Sequence, residues 1–348
     1  PEGYTFVPDD IFEQALIDLG YDDVLDDYVV TDNISGVTNL SINNYQNEED
    51  YISDLTGIQG FTALETLNIS YNSLTTLDMS ANTSLTYLQC YGNDLTSINV
   101  NANTALVELH CGGNDLTSLD VTNNTALTIL GAQRNSFTSL DLSNNVLLET
   151  LYLKEGDLTS LDVSNNTALE TIECFSNSLV TLDFSNNTAL NSLKCYNNQL
   201  TSLDVSNCTL LTYLHAGTNQ LIALDVSAST GLTYLNTGTN QLTSLDVSQN
   251  TELTTLYVGF NSLTSLDVSA NTSLTLLKCP GNQLTSLDVS TNTALETLDL
   301  WANQLTYLNM RNGVTDSLIL FKATGNELTC IETLDPDYAT ANWTNANE

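Results

Sequence analysis

Apolar residues return along this chain with a period longer than a single helix or strand produces. Leucine stands at 64, 85, 106, 127, 148, 169, 190, 211, 232, 253, 274 and 295, always 21 residues apart, and a further coil begins at Leu318 after a two-residue insertion. Each unit follows LxxLxCxxNxLxxLDVSxNTx, as in LTYLQCYGNDLTSINVNANTA from Leu85. The part LxxLxC alternates inward apolar with outward variable positions, which predicts a short strand buried on one face. LTSLDVS alternates as well and predicts strand-like structure on a second face. The asparagine after the first part (Asn72, Asn93, Asn114, Asn177, Asn198, Asn219) stands where the chain turns inward. Its amide is expected to pair buried backbone groups of neighbouring coils. Gly156 replaces it in the fifth coil and predicts a local irregularity.

A strict period of this size predicts a solenoid, in which each coil buries its leucines only against its neighbours. The pattern resembles the short bacterial class of leucine-rich repeat, over roughly residues 34 to 330. That resemblance implies a β-rich leucine-rich-repeat arc of about 13 to 14 coils with a parallel sheet. At the ~4.8 Å spacing of strands, thirteen coils would extend about 60 Å, in a flatter arc than a helix-backed horseshoe.

Both ends leave the pattern, as caps over terminal apolar faces must. DDIFEQALIDLG has capping-box spacing from Asp10 to Glu13, with Phe12, Leu16 and Leu19 on one face and Gly20 as a stop, and predicts a short helix. Residues 1–33 are therefore read as a helical cap, 34–327 as the solenoid and 328–348 as a closing cap. The first coil is atypical and carries an acidic insertion, NNYQNEEDY; its phrase ISDLTGIQGFTAL is similar to repeats of internalin-type surface proteins. The end, LTCIETLDPDYATANWTNANE, is similar to the closing segment of secreted bacterial leucine-rich-repeat proteins, with the native chain expected to continue beyond it. The opening PEGYTFVPDD reads as a mature or trimmed start.

Charge narrows the partners. With 42 acidic against 6 basic residues, a net charge of -36 repels phosphate backbones and anionic lipid, so nucleic acid is not an expected partner. No apolar run of about eighteen residues is present for membrane insertion. Apolar residues make up 41%, regularly placed, which argues for a folded core rather than acidic disorder.

Cys90, Cys111, Cys174, Cys195 and Cys279 fall at the inward strand position that Leu153, Val258 and Leu300 fill elsewhere. They read as buried free thiols acting as small apolar side chains, because stacked parallel strands rarely offer disulfide geometry and no CxxC or nearby histidine suggests a metal. Cys330 lies in the closing cap, available to a cysteine beyond residue 348.

The letters change at the third, fifth, seventh and eighth positions of a coil, which point outward. There stand Arg134, Lys154, Lys194, Lys278 and Lys322, both histidines, His110 and His215, and the tyrosines 87, 91, 152, 196, 213, 234 and 257. Stacking the coils predicts two clusters. One combines Arg134, Tyr152, Lys154, Glu173, Phe175, Lys194 and Tyr196. The other combines Tyr213, His215, Tyr234, Tyr257, Phe260 and Lys278, extended by Trp301 and flanked by Gly217, Gly238 and Gly259, read as leaving room for a ligand. Rigid rings beside cations suit a recognition surface. Tyrosine also favours strands, so cross-strand stacking is the competing structural account.

The second face stacks Asp78, Asp120, Asp141, Asp162, Asp183, Asp204, Asp225, Asp246, Asp267 and Asp288. Neighbouring charges at about 5 Å repel by roughly 0.8 kcal/mol in water. Hydrogen bonds from Ser and Thr hydroxyls and backbone amides, as from Ser202 and Ser206 around Asp204, are the expected compensation. Calcium is the alternative, without any calcium-loop signature; ice binding fits poorly with a charged row. A hydrolytic site would need paired acids, for which Glu155 and Glu173 are the candidates. The histidines lie five coils apart, about 24 Å, too far to share a site. The sequence thus predicts a secreted or cell-surface, non-catalytic adhesion module, without cofactor, that binds a protein or an extended polysaccharide on its outward strand face. A polysaccharide-processing enzyme and a calcium-binding structural surface protein are the rival readings.

Overall fold

A computed structural model describes residues 2–44 and 51–343. The chain forms two compact units, Pro1–Leu169 and Glu170–Glu348, and both are solenoids of leucine-rich-repeat coils. In the first unit the strands Asn39–Ser41, Thr66–Asn68, Tyr87–Gln89, Glu108–His110, Ile129–Gly131 and Thr150–Tyr152 pair in parallel, each with the next. In the second, Thr171–Glu173, Ser192–Lys194, Tyr213–His215, Tyr234–Asn236, Thr255–Tyr257, Leu276–Lys278, Thr297–Asp299 and Leu320–Lys322 do the same. Register runs leucine to leucine, as Leu193 opposite Leu214 and Leu214 opposite Leu235. The repeated leucines are buried, so within each unit apolar contact passes from coil to coil.

Two ladders of asparagine finish the coils. At the expected ladder, Asn114 Nδ2 donates to the carbonyls of Cys90 and Cys111 at 3.1 and 3.0 Å, while its Oδ1 accepts from Leu95 N at 3.0 Å. Asn93, Asn135, Asn198, Asn219 and Asn282 repeat this bonding, so the turn's carbonyls stay paired without water. A second ladder, unforeseen in the sequence, holds the NTxL end of the coil. Asn271 Nδ2 reaches Val247 O and Asn250 O at 2.9 and 2.8 Å, and Asn103, Asn124, Asn145 and Asn292 do the same. Cys208 and Ser229 interrupt it; Ser229 Oγ still donates to Cys208 O at 3.1 Å.

The second face departs from the expected strand. Among the described residues only Ser286–Asp288, Tyr307–Met310 and Cys330–Thr333 form a sheet there, with isolated bridges at Asp78 to Asn99 and Asp183 to Asp204. Elsewhere the bonding is local. Asp225 Oδ1 accepts from Ser227 N and Asp246 Oδ1 from Ser248 N, both at 2.9 Å, an Asx turn that occupies an amide a ladder would use. These bonds also hold the aspartate carboxyls below their ordinary range, at Asp225 first through the Ser227 hydroxyl and then its backbone amide.

The N-terminal helix runs Asp10–Asp18, and its cap is Asp9 rather than Asp10: the Asp9 carboxylate accepts from Ile11 N and Phe12 N. Glu13 does not close a capping box. It is buried and accepts from the amides of Asp26, Asp27 and Tyr28. The other Asp9 oxygen takes Ser53 N, Ser53 Oγ and Asp54 N, tying the helix to the first coil. Burial raises the Asp9 carboxyl, but these amides pull it net below the ordinary value. Phe12 and Leu16 are buried as expected, whereas Leu19 lies 48% exposed, because the helix has already ended when Gly20 takes φ 80°. Residues 45–50 of the acidic insertion lie outside the described residues. Toward the other end a helix, Pro336–Asn342, packs Trp343 against Phe321 at 4.5 Å between rings.

Candidate functional site

A three-residue strand presents its first and third side chains outward and buries the second, and the chain bends immediately after it. In the second unit this brings the outward residues of successive coils ring to ring. Phe175 stacks on Tyr196 at 4.3 Å and 11°, and Tyr196 on His215 at 4.1 Å and 27°. Tyr213 stacks on Tyr234 at 4.2 Å and 5°, and Tyr234 tilts toward Tyr257 at 6.0 Å. His215 meets the edge of Tyr234 at 6.3 Å and joins the two rows. Residues assigned to separate clusters from the sequence, Phe175, Lys194 and Tyr196 against Tyr213, His215, Tyr234 and Tyr257, are therefore one continuous surface.

Charges on this surface are largely answered within it. Lys194 Nζ lies 2.7 Å from Glu173 Oε1 and 5.5 Å from the Tyr213 ring centre. Glu173 stands at an outward strand position but is covered by its neighbours, with 8% of its surface exposed, and it holds Lys194 in place. Burial and then Lys194 push His215 down to about 4, so its imidazole is neutral at pH 7. Burial, then the hydrogen bond and charge of Tyr234, raise the Tyr213 hydroxyl. Farther along, Lys278 lies 5.3 Å over Tyr257, Lys322 4.8 Å over Trp301, and Phe260 meets Trp301 at 5.7 Å.

The first unit carries the remaining predicted residues. Arg134 Nε binds Glu155 Oε2 at 2.7 Å and its Nη1 donates to the Tyr91 hydroxyl at 3.2 Å. Lys154 Nζ lies 5.6 Å over Tyr152. Tyr87 contacts Gln89 and tilts against His110 at 5.7 Å, and His110 Nε2 lies 3.3 Å from Glu108. Tyr71 was not singled out from the sequence, yet it packs edge-on to Tyr91 at 5.5 Å; its place at the eighth position of its coil was the available signal. Glu155 and Glu173, the acids of the hydrolytic reading, are each bound to a cation of their own unit.

The glycines do not open a ligand pocket. A Cβ at Gly217 would come 3.0 Å from Gly238 O, and at Gly259 2.7 Å from the Pro280 ring. Their missing side chains admit the next coil. The cysteines of the ladder are buried, and burial raises their thiols, Cys174 to about 12. Cys208, which sequence reasoning passed over, is also buried, at an asparagine position. Asp10, Glu13 and Asp27 bring three carboxylates together, but Glu13 is committed to backbone amides.

The chain is 35% identical to the functional domain of InlJ from Listeria monocytogenes, which includes a cysteine ladder; the match covers 94% of this chain and 72% of that one, with a TM-score of 0.85. This protein belongs to the internalin-like leucine-rich-repeat family. YopM, a leucine-rich effector protein of Yersinia pestis, is 26% identical over 96% of this internalin-like chain and 86% of its own, at a TM-score of 0.71. The internalin InlF of Listeria monocytogenes, 23% identical over 99% of this chain and 95% of its own with a TM-score of 0.70, shares the fold. A family model described as LVIVD repeat matches residues 256–279. No curated protein matches the chain. Among the described residues no helix is long and apolar enough to cross a membrane.

Proposed function

We propose that this internalin-like chain is a non-catalytic recognition module, secreted or displayed at the cell surface, that takes a protein ligand on the outward strand face of its second unit. The observation that carries the reading is the continuous aromatic surface from Phe175 through Tyr196, His215, Tyr213 and Tyr234 to Tyr257. Prestacked rings lose little conformational freedom on binding and offer apolar area with polar edges. Lys278 and Trp301 extend the proposed contact within this unit, and Arg134, Tyr152 and Lys154 are proposed as contacts on the first unit's own strand face. Residues 1–33 and 328–348 act as caps in this reading, and 34–327 as the binding solenoid.

An extended anionic polysaccharide is the second reading. It draws on the cations, but Lys194 and Arg134 already bind Glu173 and Glu155, which lowers the positive field available to it. Purified protein applied in parallel to protein and glycan arrays separates the two. The expected result is saturable capture by protein spots that survives a rise from low to physiological salt, since aromatic anchoring is little screened. Capture restricted to anionic glycans and lost with salt would overturn the protein assignment.

A further inference from the structure

The eighth position of each coil, at the bend after the strand, adopts left-handed backbone. Glycine, which takes this conformation without steric cost, stands there at Gly92, Gly113, Gly281 and Gly325. Phe260 occupies the same position at φ 55° and is nevertheless 50% exposed. A bulky ring held in an unfavourable conformation, without burial in return, is not required by the coil. Its ring lies over Gly281, where a Cβ would approach it to 2.7 Å, so the next coil leaves the space that this ring fills. Trp301, 37% exposed, meets Phe260 at 65°. Two rings at that angle make a corner suited to an apolar side chain rather than a flat platform for a sugar ring.

Cations border the corner. Lys322 lies 4.8 Å over Trp301, and Lys278 stands in register between Tyr257 and Asp299, whose strands lead into the turns that carry Phe260 and Trp301. Among the described residues neither lysine has a carboxylate within ion-pair distance, whereas Arg134, Lys194 and Arg311 each do. Asp299 lies in register between the two lysines, but its carboxylate accepts from Trp301 N at 3.3 Å and so fixes the turn carrying that ring. In a chain of net charge -36, two such cations against the one carboxylate in register with them, Asp299, make this end of the face less negative than the whole.

We propose that Phe260, Trp301, Lys278 and Lys322 form an anchor for an acidic polypeptide segment, with one apolar side chain in the ring corner and flanking carboxylates on the lysines. This deepens the recognition reading and rests on it. Trp301 and Trp343 are the protein's two tryptophans, so W343F leaves Trp301 as a single reporter beside the site. The probe is a short synthetic peptide with a phenylalanine flanked by glutamates, compared with versions carrying glutamine or lysine instead. The expected result is a saturable change in Trp301 emission with the glutamate peptide, at least tenfold tighter than with either control, and at least tenfold weakening in K278A/K322A. Anisotropy of the fluorescein-labelled peptide on the parent protein gives the same comparison should W343F not fold. R311A, which removes a cation outside the corner, should leave binding unchanged.

Equal response to the lysine peptide, or undiminished binding by K278A/K322A, would sink the proposal. Tighter binding of polygalacturonate than of the glutamate peptide would overturn the polypeptide assignment. An array partner captured equally by the parent and by K278A/K322A would remove the anchor and leave the recognition module standing. Peptide binding by a parent that captures nothing on the arrays would support the anchor and count against the wider reading.

Discussion

In the coil that begins at Leu211, the strand Tyr213–His215 and the stretch Leu224–Ser227 are held by different bonds. The strand's backbone pairs with a coil on each side, so this pairing does not depend on the identity of its outward side chains. Along the aspartate stretch the side chain is itself a structural bond, from Ser227 N to Asp225 Oδ1. This explains why LDVS recurs almost letter for letter while the strand letters change. Substituting a residue in LDVS breaks a turn; substituting Tyr213 or His215 alters the surface that the coil presents. Variation along the repeat therefore marks the positions released from scaffold duty, which are the ones available for recognition.

The inward and outward positions of the strand give the largest contrast. Leu214 is fully buried, and Leu214→Ala should cost about 2 to 5 kcal/mol by opening a cavity in a continuous core. Thr212→Ala should cost under about 1 kcal/mol, the worth of its bond to Asn191 Oδ1. Equal shifts in denaturant midpoint would break the assignment of faces. Next in size is the second asparagine ladder. Asn271→Ala removes two bonds to buried carbonyls and should cost about 2 to 3 kcal/mol, whereas Cys208→Asn, which restores a missing rung, should raise the midpoint.

His215 sharpens the comparison through pH. Its folded value of about 4 lies below the ordinary 6.5, so between these values the unfolded chain binds more protons. The stability that neutral His215 contributes is whole above pH 6.5 and is lost as pH falls toward 4, on the order of 1 to 3 kcal/mol. His215→Phe should flatten this part of the stability profile; an unchanged slope would contradict the half-buried, neutral imidazole. The aspartates have lowered values too, and their contribution is lost only as pH falls below the ordinary carboxylate range.

The smallest effect is expected from calcium. With these aspartates engaged by the serine two residues on, or by Thr122 at Asp120, millimolar calcium should raise Tm no more than NaCl of matched ionic strength. A saturable isotherm of defined stoichiometry would show a cation site instead.

The scaffold was legible because its signal repeats: leucine spacing reports the core, and the asparagine after each strand reports its ladder. The second ladder stood in the same NTxL letters and was missed because a short polar residue in a turn is ordinarily exposed. Asp9 displaced Asp10 as cap although only Asp10 has the capping-box spacing to Glu13, because Glu13 is taken up by the amides of Asp26, Asp27 and Tyr28. Glu173 read as outward from alternation, but Lys194 and the neighbouring coil bury it. The candidate rings were legible as residues and not as a surface, since a seventh-position ring such as Tyr196 reaches diagonally to fifth-position His215.

The central claim is that released strand positions, and not the aspartate face, bind the ligand. Its most direct test screens the parent, Tyr196→Ala/Tyr234→Ala and Asp225→Asn/Asp246→Asn side by side on the same protein arrays, with Tm measured for each. The account predicts that the tyrosine variant loses at least about 30-fold in affinity, equivalent to ~2 kcal/mol, and that the aspartate variant binds like the parent. Retained binding by the tyrosine variant, with loss in the aspartate variant, would contradict it.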